Sequence, residues 1–277
     1  MAPSEPHQVV VDYVAEHPAF KQVLDDDFLA ELGNRESQAD REFPEIYCCI
    51  AEPGRVNLDT LEAGLQFVLD RADTEHRNEV IRKLQQSSDQ DVGTVFELAV
   101  FGALLLDFGQ DQIALYPSVG KERESDACLL TAEGAVYVEA TVLNFPKRAL
   151  EAFRQMRLAG RNVGDAHWVD IGDRDVALLR KVESKFEQHM PGAPNVLALS
   201  RYDSVRGEDI DLFRQHFEAN GSRDPLGHFA GMFHLRRFEE PQWLANERCS
   251  KDSALSKVVV GSLERALKRM APPKAPA

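Results

Sequence analysis

Residues 94–141 contain three segments from which the fold is predicted: TVFELAVFGALLLDFG (94–109), SDACLL (125–130) and AVYVEAT (135–141). Each of these segments is apolar except for a few charges. Three carboxylates stand where their neighbours predict burial, namely Glu97, Asp126 and Glu139. A buried charge costs free energy unless it is paired or hydrogen-bonded. These three residues therefore require a physical explanation.

Residues 125–141 predict a β-hairpin, because side chains of different character alternate on both sides of a turn at 131–134. If Leu130 pairs with Ala135 across that turn, the register sets Asp126 opposite Glu139 on the same face of the sheet. Upstream, residues 94–109 are apolar on nearly every face of a helix, which predicts a buried helix that carries Glu97.

Two facing carboxylates repel each other by on the order of 3 kcal/mol at roughly 5 Å and an effective dielectric constant of about 20. Protonation of one carboxyl group relieves the repulsion, and so does a divalent cation bound between the two. Adjacent carboxylate oxygens suit Mg²⁺ or Mn²⁺. We adopt the metal interpretation, with Asp126, Glu139 and Glu97 as candidate ligands.

The order of these residues resembles the PD-(D/E)XK nuclease superfamily. Its core has a helix that bears a glutamate, a strand, an aspartate that starts a hairpin, and an acidic-x-Lys triplet on the next strand. The corresponding segments here are FELA (96–99), IALYP (113–117), ESD (124–126) and EAT (139–141).

The resemblance implies an α/β fold of the restriction-endonuclease-like type, a mixed central sheet flanked by helices. It implies hydrolysis of phosphodiester bonds in nucleic acid, with DNA as the expected substrate. Mg²⁺ or Mn²⁺ would be held by Asp126 and Glu139, and Glu97 would act as a ligand or a base. Nucleases of this kind often pair to cut two strands, which makes a homodimer a possible assembly.

The sequence departs from the family pattern at Thr141, which stands where the motif has lysine. Threonine donates a hydrogen bond but carries no positive charge. Lys185 is the first candidate to supply that charge, because it borders the apolar stripe of a helix predicted within 173–189. Gln188, one turn further on, is a candidate contact to phosphate or base. Lys121 is a further source of charge.

The chain carries a net charge of −14, which argues against general coating of nucleic acid. Residues 145–161 are a local exception, because this segment contains five basic residues and only one acidic residue. Four of the basic residues fall near one helical face and are candidate substrate contacts: Lys147, Arg154, Arg157 and Arg161. The alternative interpretation is a solvated helix face.

Several classes of protein are disfavoured on motif grounds. The chain has no HExxH, GxxxxGK[ST], GxGxxG or GxSxG, and its four cysteines lack paired spacing, which predicts reduced thiols. It has no apolar run of about 20 residues and no signal peptide at its start, so we expect a cytoplasmic protein.

The remaining pattern predicts a helical N-terminal extension over 1–90, an α/β core over 91–270 and a disordered tail over 271–277. Strands are expected at 166–171, 195–200 and 231–235, and helices at 208–218 and 252–270. Two alternatives to an active nuclease remain open. One is a nuclease-like domain that binds nucleic acid or a partner protein without cleaving, and the other is an unrelated α/β interaction protein.

Overall fold

The computed structural model describes residues 5–35, 43–52, 54–86, 89–118, 124–143, 184–185, 188–201, 208–236, 238 and 240–273. The strand expected at 166–171 and the basic segment at 145–161 lie outside these ranges. Of the helix expected within 173–189, Ser184 and Lys185 are described as helical.

Helices form the first part of the chain, as the sequence predicts. They are α1 (Glu5–Glu16), α2 (Pro18–Lys21), α3 (Asp26–Arg35), α4 (Glu45–Ala51), α5 (Leu58–Arg71), α6 (Thr74–Leu84) and α7 (Asp89–Phe108). Two more helices follow among the described residues, α8 (Glu208–Asn220) and α9 (Lys257–Leu267). No helix of the described segments has both the length and the apolar character needed to cross a membrane.

A six-stranded mixed sheet forms the centre of the fold, so the predicted α/β class is confirmed. Its strands are β1 (Ile113–Leu115), β2 (Ala127–Thr131), β3 (Gly134–Leu143), β4 (Asn195–Arg201), β5 (Phe229–Arg236) and β6 (Gln242–Ala245). They lie side by side in chain order. β2 runs antiparallel to both β1 and β3, β4 runs parallel to β3, β5 runs parallel to β4, and β6 is antiparallel to β5.

The predicted hairpin register is confirmed, because Leu130 pairs with Ala135 and Ala127 pairs with Val138. The turn is stabilised by the hydroxyl of Thr131, which accepts from the N–H of Glu133 and donates to the carbonyl of Gly134. Gly134 has φ of 122°, a left-handed conformation that favours glycine. Turn chemistry therefore fixes which side chains of β2 and β3 share a face.

Helix α7 is buried as predicted and packs closely on α5. A Cβ atom on Gly64 would collide with the carbonyl of Leu98, and one on Gly102 would collide with the carbonyl of Thr60. The buried side chains of α1 to α7, α9 and one face of the sheet form one hydrophobic cluster. The N-terminal helices therefore share the core that supports the sheet.

The last helix begins later than the sequence predicts. Residues Lys251–Ser253 form a short 3-10 turn, and α9 starts at Lys257. The hydroxyl of Ser256 accepts from the N–H of Val259 and caps this start. The expected start at Asp252 is wrong, because the side chain of Ser256 caps a free N–H group of the first turn and so places the start of α9 at Lys257.

Candidate active site

Asp126 and Glu139 lie next to each other at the end of the β2–β3 hairpin that is remote from its turn. Asp126 directly precedes β2, and one of its oxygens, Oδ2, accepts a hydrogen bond of 2.7 Å from the backbone N–H of Ala140. Because Ala127 pairs with Val138, continuation of the register places Asp126 beside Glu139. Glu139 is almost fully buried, with 1% of its side chain exposed, whereas 16% of Asp126 is exposed.

Lys185 reaches both carboxylates. Its Nζ lies 3.4 Å from Oε2 of Glu139 and 3.5 Å from Oδ2 of Asp126. The ammonium group of Lys185 therefore bridges the two carboxylates. Thr141 is buried two residues beyond Glu139 on β3, on the same face of the strand. The structure thus brings a lysine from another segment to the pair of carboxylates next to Thr141.

Glu97 approaches from α7 and is held by Tyr116. The Tyr116 hydroxyl donates to Oε1 of Glu97 at 2.8 Å, and the backbone N–H of Tyr116 donates to the carbonyl of Asp126 at 3.1 Å. Tyr116 therefore connects the helix that carries Glu97 to the start of the hairpin. The sequence pattern predicts a strand that includes Tyr116, whereas β1 ends at Leu115, and it does not predict this contact because a tyrosine at a strand end has no distinctive pattern.

Burial and mutual repulsion shift the protonation of this cluster. Burial and the nearby charge of Asp126 raise the pKa of Glu97 to about 7, against the opposing effects of Tyr116 and Lys185. The same two causes raise the pKa of Glu139 to about 8. Burial lowers the pKa of Lys185, but the charges of Asp126, Glu139 and Glu97 outweigh it, so the pKa is raised and the ammonium is retained.

One oxygen of Glu139 is poorly satisfied by the residues that the structure describes. Oε1 is buried and makes no hydrogen bond of ordinary geometry within the described segments. The nearby Ser125 hydroxyl lies 3.4 Å from the backbone carbonyls of Ala127 and Val138, and its interaction with the Glu139 side chain lowers the pKa of that carboxyl against the stronger effect of burial. A buried, unpaired carboxylate oxygen is costly. When all three carboxyl groups are ionised, the cluster carries more negative charge than Lys185 neutralises, and Oε1 of Glu139 is available as a ligand.

The metal-free protein is expected to become less stable as pH rises from about 5 to about 8. Folded Glu139 keeps its proton up to a pKa of about 8, whereas the unfolded chain releases it near the ordinary value of 4.5. The stabilising contribution is therefore present at low pH and lost through this window, on the order of a few kcal/mol. Urea unfolding in chelator at several pH values measures it.

Glu139→Gln is the matched control for that measurement, since glutamine mimics the protonated carboxyl and does not titrate. The variant is expected to be as stable as the parent near pH 5 and more stable near pH 8. A variant that is much less stable throughout this range would mean that Glu139 is a structural partner of Lys185.

Tyr116→Phe is expected to raise the pKa of Glu97 above its present value of about 7, because the carboxylate loses a hydrogen bond that favours its charged form. Titration by NMR with ¹³C-labelled glutamate measures the change. Tyr137→Phe is the control, because the Tyr137 hydroxyl interacts with Cys128. An unchanged pKa in Tyr116→Phe would contradict the assigned contact.

The ring of Tyr116 also contacts a histidine. The ring of His76 stacks on it, with centroids 4.4 Å apart and planes 12° apart. The two ring nitrogens of His76 lie 2.8 Å from Asp73 and 2.7 Å from Glu124. Partial burial lowers the pKa of His76, but these two carboxylates outweigh it and raise the pKa. A histidine held by two acids thus supports the tyrosine that orients Glu97.

The other predicted site residues have different outcomes. The backbone N–H of Gln188 donates to the carbonyl of Lys185 at 3.0 Å, and its side-chain oxygen is buried without a partner in the described segments. Lys121 lies outside the described residues. The same holds for the predicted substrate contacts Lys147, Arg154, Arg157 and Arg161.

Comparisons with known proteins identify no family for this chain. Models of protein families, curated proteins and solved structures all yield no significant match. The fold and site therefore define an α/β protein with a buried cluster of carboxylates and a lysine at a hairpin in a mixed sheet. Functional inference has to begin from that cluster.

Proposed function

We propose that the chain is a metal-dependent nuclease that hydrolyses phosphodiester bonds of nucleic acid, with DNA as the expected substrate. The observation that carries the proposal is the position of Lys185, whose Nζ lies within 3.5 Å of both Asp126 and Glu139. Lysine is the group that the PD-(D/E)XK pattern requires at such a site, and Thr141 cannot supply its charge.

The order of elements supports a restriction-endonuclease-like core. Helix α7 carries Glu97, β1 follows, Asp126 starts the β2–β3 hairpin, and β3 carries Glu139. β4 then lies parallel to β3. This is the sequence of helix, strand and hairpin that the resemblance implies.

The donor set fits a hard divalent cation such as Mg²⁺ or Mn²⁺. The candidate ligands are carboxylates, which are the oxygen donors these ions prefer. Oε1 of Glu139 is buried and has no hydrogen bond in the described part of the chain, so it can be a ligand without loss of another contact. Asp126 and Glu139 would hold the ion, with Glu97 as a third ligand or as a base. When bound, the metal supplies a Lewis acid for a phosphate oxygen and acidifies a water molecule.

Lys185 and Glu97 have distinct parts in the proposed reaction, in which water attacks phosphorus, the P–O bond to one sugar oxygen breaks, and that leaving oxygen takes a proton from solvent. The ammonium of Lys185 has three N–H donors and touches two carboxylates, so one donor is available for a phosphate oxygen. It stabilises negative charge that develops on the phosphate. Glu97, with a pKa of about 7, is suited to take a proton from the water molecule near neutral pH.

A second candidate is a nuclease-like domain that binds nucleic acid or a partner protein but does not cleave. Thr141 favours it, because the position that bears lysine in the family pattern has no charge. The contact of Lys185 with both carboxylates weakens that argument. Cleavage and binding measured on the same substrates separate the two candidates.

The test is cleavage of end-labelled single-stranded DNA, duplex DNA and RNA by the full chain. We expect cleavage with Mg²⁺ or Mn²⁺, none with chelator, and recovery when the metal is returned. Asp126→Asn should be inactive, whereas the control Asp211→Asn, an exposed carboxylate on α8, should keep the parent rate. Substrate binding without cleavage under all metal conditions would favour the second candidate. Equal cleavage by Asp126→Asn would contradict the proposed role of Asp126 as a metal ligand.

A further inference from the structure

Three side chains outside the carboxylate cluster converge on one point. His189 precedes β4, and Asp224 and His228 lie in the turn that precedes β5. Nε2 of His189 is 3.8 Å from Oδ1 of Asp224, and Nε2 of His228 is 3.5 Å from the same oxygen. One ligand atom from each residue lies within 4.8 Å of the others. We propose that these residues form a second metal site, which binds a transition-metal ion of the Zn²⁺ type.

Both distances from Asp224 to the imidazole nitrogens are close to those between ligands of a tetrahedral site. Bonds of about 2.0–2.1 Å to nitrogen and carboxylate oxygen place tetrahedral ligands roughly 3.4 Å apart. The observed 3.5 and 3.8 Å exceed this value only slightly. Three protein ligands would leave a fourth position for water.

A buried asparagine fixes the backbone of both histidine segments. The side chain of Asn195, which is fully buried, accepts from the N–H of Met190 and donates to its carbonyl, at 2.8 and 3.0 Å. Asn195 also donates to the carbonyl of His228 at 2.9 Å. One rigid amide thus joins the residue after His189 to His228 itself. The two imidazoles are held near each other before any metal binds.

A second buried asparagine fixes the turn that carries Asp224 and His228. The side-chain amide of Asn246 donates to the carbonyls of Gly221, Leu226 and Phe229, at 2.9, 3.1 and 3.1 Å. Asn246 is 2% exposed. A turn held at three carbonyls by one buried side chain loses little conformational entropy when it binds an ion.

Metal binding requires one imidazole ring to turn. The rings of His189 and His228 stack with centroids 4.4 Å apart and planes 8° apart. A metal bonded to imidazole lies near the plane of the ring, and one ion cannot lie near two parallel, separated planes. The side chain of His228 is 29% exposed and that of Asp224 is 81% exposed, whereas His189 is 13% exposed. His228 and Asp224 therefore have the space to move, and His189 stays in place.

The histidine site and the carboxylate cluster should prefer different metal ions, because their ligand types differ. Imidazole nitrogen favours Zn²⁺, Cu²⁺, Ni²⁺ and Co²⁺, whereas sites made only of oxygen ligands suit Mg²⁺ and Mn²⁺. An excess of Mg²⁺ should therefore fill the Asp126–Glu139 site without blocking the histidine site. The proposed Zn²⁺ site stands whether or not the chain is a nuclease.

The test is titration of the tag-free full chain with Zn²⁺ by calorimetry, and with Co²⁺ by visible absorption, in excess Mg²⁺. We expect one ion per chain and the absorption of a nitrogen and oxygen site without thiolate bands. Asp224→Asn and His228→Gln should each weaken binding by at least about a hundredfold, since even changes outside the ligands cost about 10–100-fold. Asp211→Asn is the control for charge and should bind as the parent does.

Thermal melts supply an independent readout. A bound ion would join the segment at His189 to the turn at 224–228, so Zn²⁺ should raise the melting temperature of the parent but not of Asp224→Asn. Asp224 is exposed, so its variant is expected to fold, and circular dichroism checks this. Absence of stoichiometric binding, or equal binding by parent and variants, would overturn the proposal. So would binding that survives in His228→Gln but is lost in Cys249→Ser.

Discussion

Lys185→Ala is expected to reduce the rate of phosphodiester cleavage about a hundredfold, which is the order of effect for removal of one electrostatic stabiliser from an active site. The loss should fall on the chemical step, because the ammonium contacts Asp126 and Glu139 and not an extended substrate surface. Single-turnover kinetics with saturating Mg²⁺ measure that step. Substrate affinity should change little.

Two further variants make this result specific. Lys268→Ala removes an exposed lysine that pairs with Glu264 and should keep the parent rate. Thr141→Lys in the Lys185→Ala background should restore part of the activity, because residue 141 lies on the same strand face as Glu139, two positions along β3. A Lys185→Ala variant with an unchanged rate would show that another cation, such as Lys121 or Lys147, supplies the charge.

Glu139→Gln is expected to reduce cleavage roughly a thousandfold or more and to weaken Mg²⁺ binding, a greater loss than that expected for Lys185→Ala. The amide keeps the shape of the side chain but removes the charge that binds a divalent ion. Mn²⁺ binding by electron paramagnetic resonance measures affinity directly. Glu247→Gln, at an exposed position, is the control.

The outcome for Glu139→Gln is informative because stability and activity should change in opposite directions. The metal-free variant is expected to be more stable than the parent near pH 8, where the parent has a carboxylate with a raised pKa. A variant that is both inactive and strongly destabilised would indicate a structural role. A variant that retains activity would remove Glu139 from the proposed ligands.

The hairpin register could be predicted from sequence because it depends on local information. Alternation of side chains on both sides of residues 131–134 specifies one pairing, and turn residues specify the same pairing. The burial of α7 follows equally from the length of its apolar run. Pairing of Asp126 with Glu139 therefore needed no long-range knowledge.

The position of Lys185 was predicted on chemical grounds and not from a pattern. The missing charge at Thr141 required a cation, and Lys185 borders an apolar stripe after the hairpin. Sequence gave no distance, which depends on how the segment before β4 packs against β3. The contacts of Nζ at 3.4 and 3.5 Å are a result of that tertiary packing.

The histidine cluster could not be predicted, because its members are distant in sequence and match no ligand spacing. The one local sequence feature that indicates the cluster is that Asp224 and His228 are four positions apart. His189 joins them only because β4 and β5 are neighbouring parallel strands, which brings the segments at their starts together. The contact of Tyr116 with Glu97 could not be predicted either, because it depends on how β1 packs against α7.

A crystal structure of the full chain with Mn²⁺, with anomalous scattering used to locate the ion, tests whether Asp126 and Glu139 bind a metal. We predict an anomalous peak between Asp126 and Glu139, with Oε1 of Glu139 as a ligand and Glu97 directed at the same site. Lys185 should remain beside the two carboxylates. A peak at the histidine cluster with none between Asp126 and Glu139 at saturating Mn²⁺ would contradict the proposed active site.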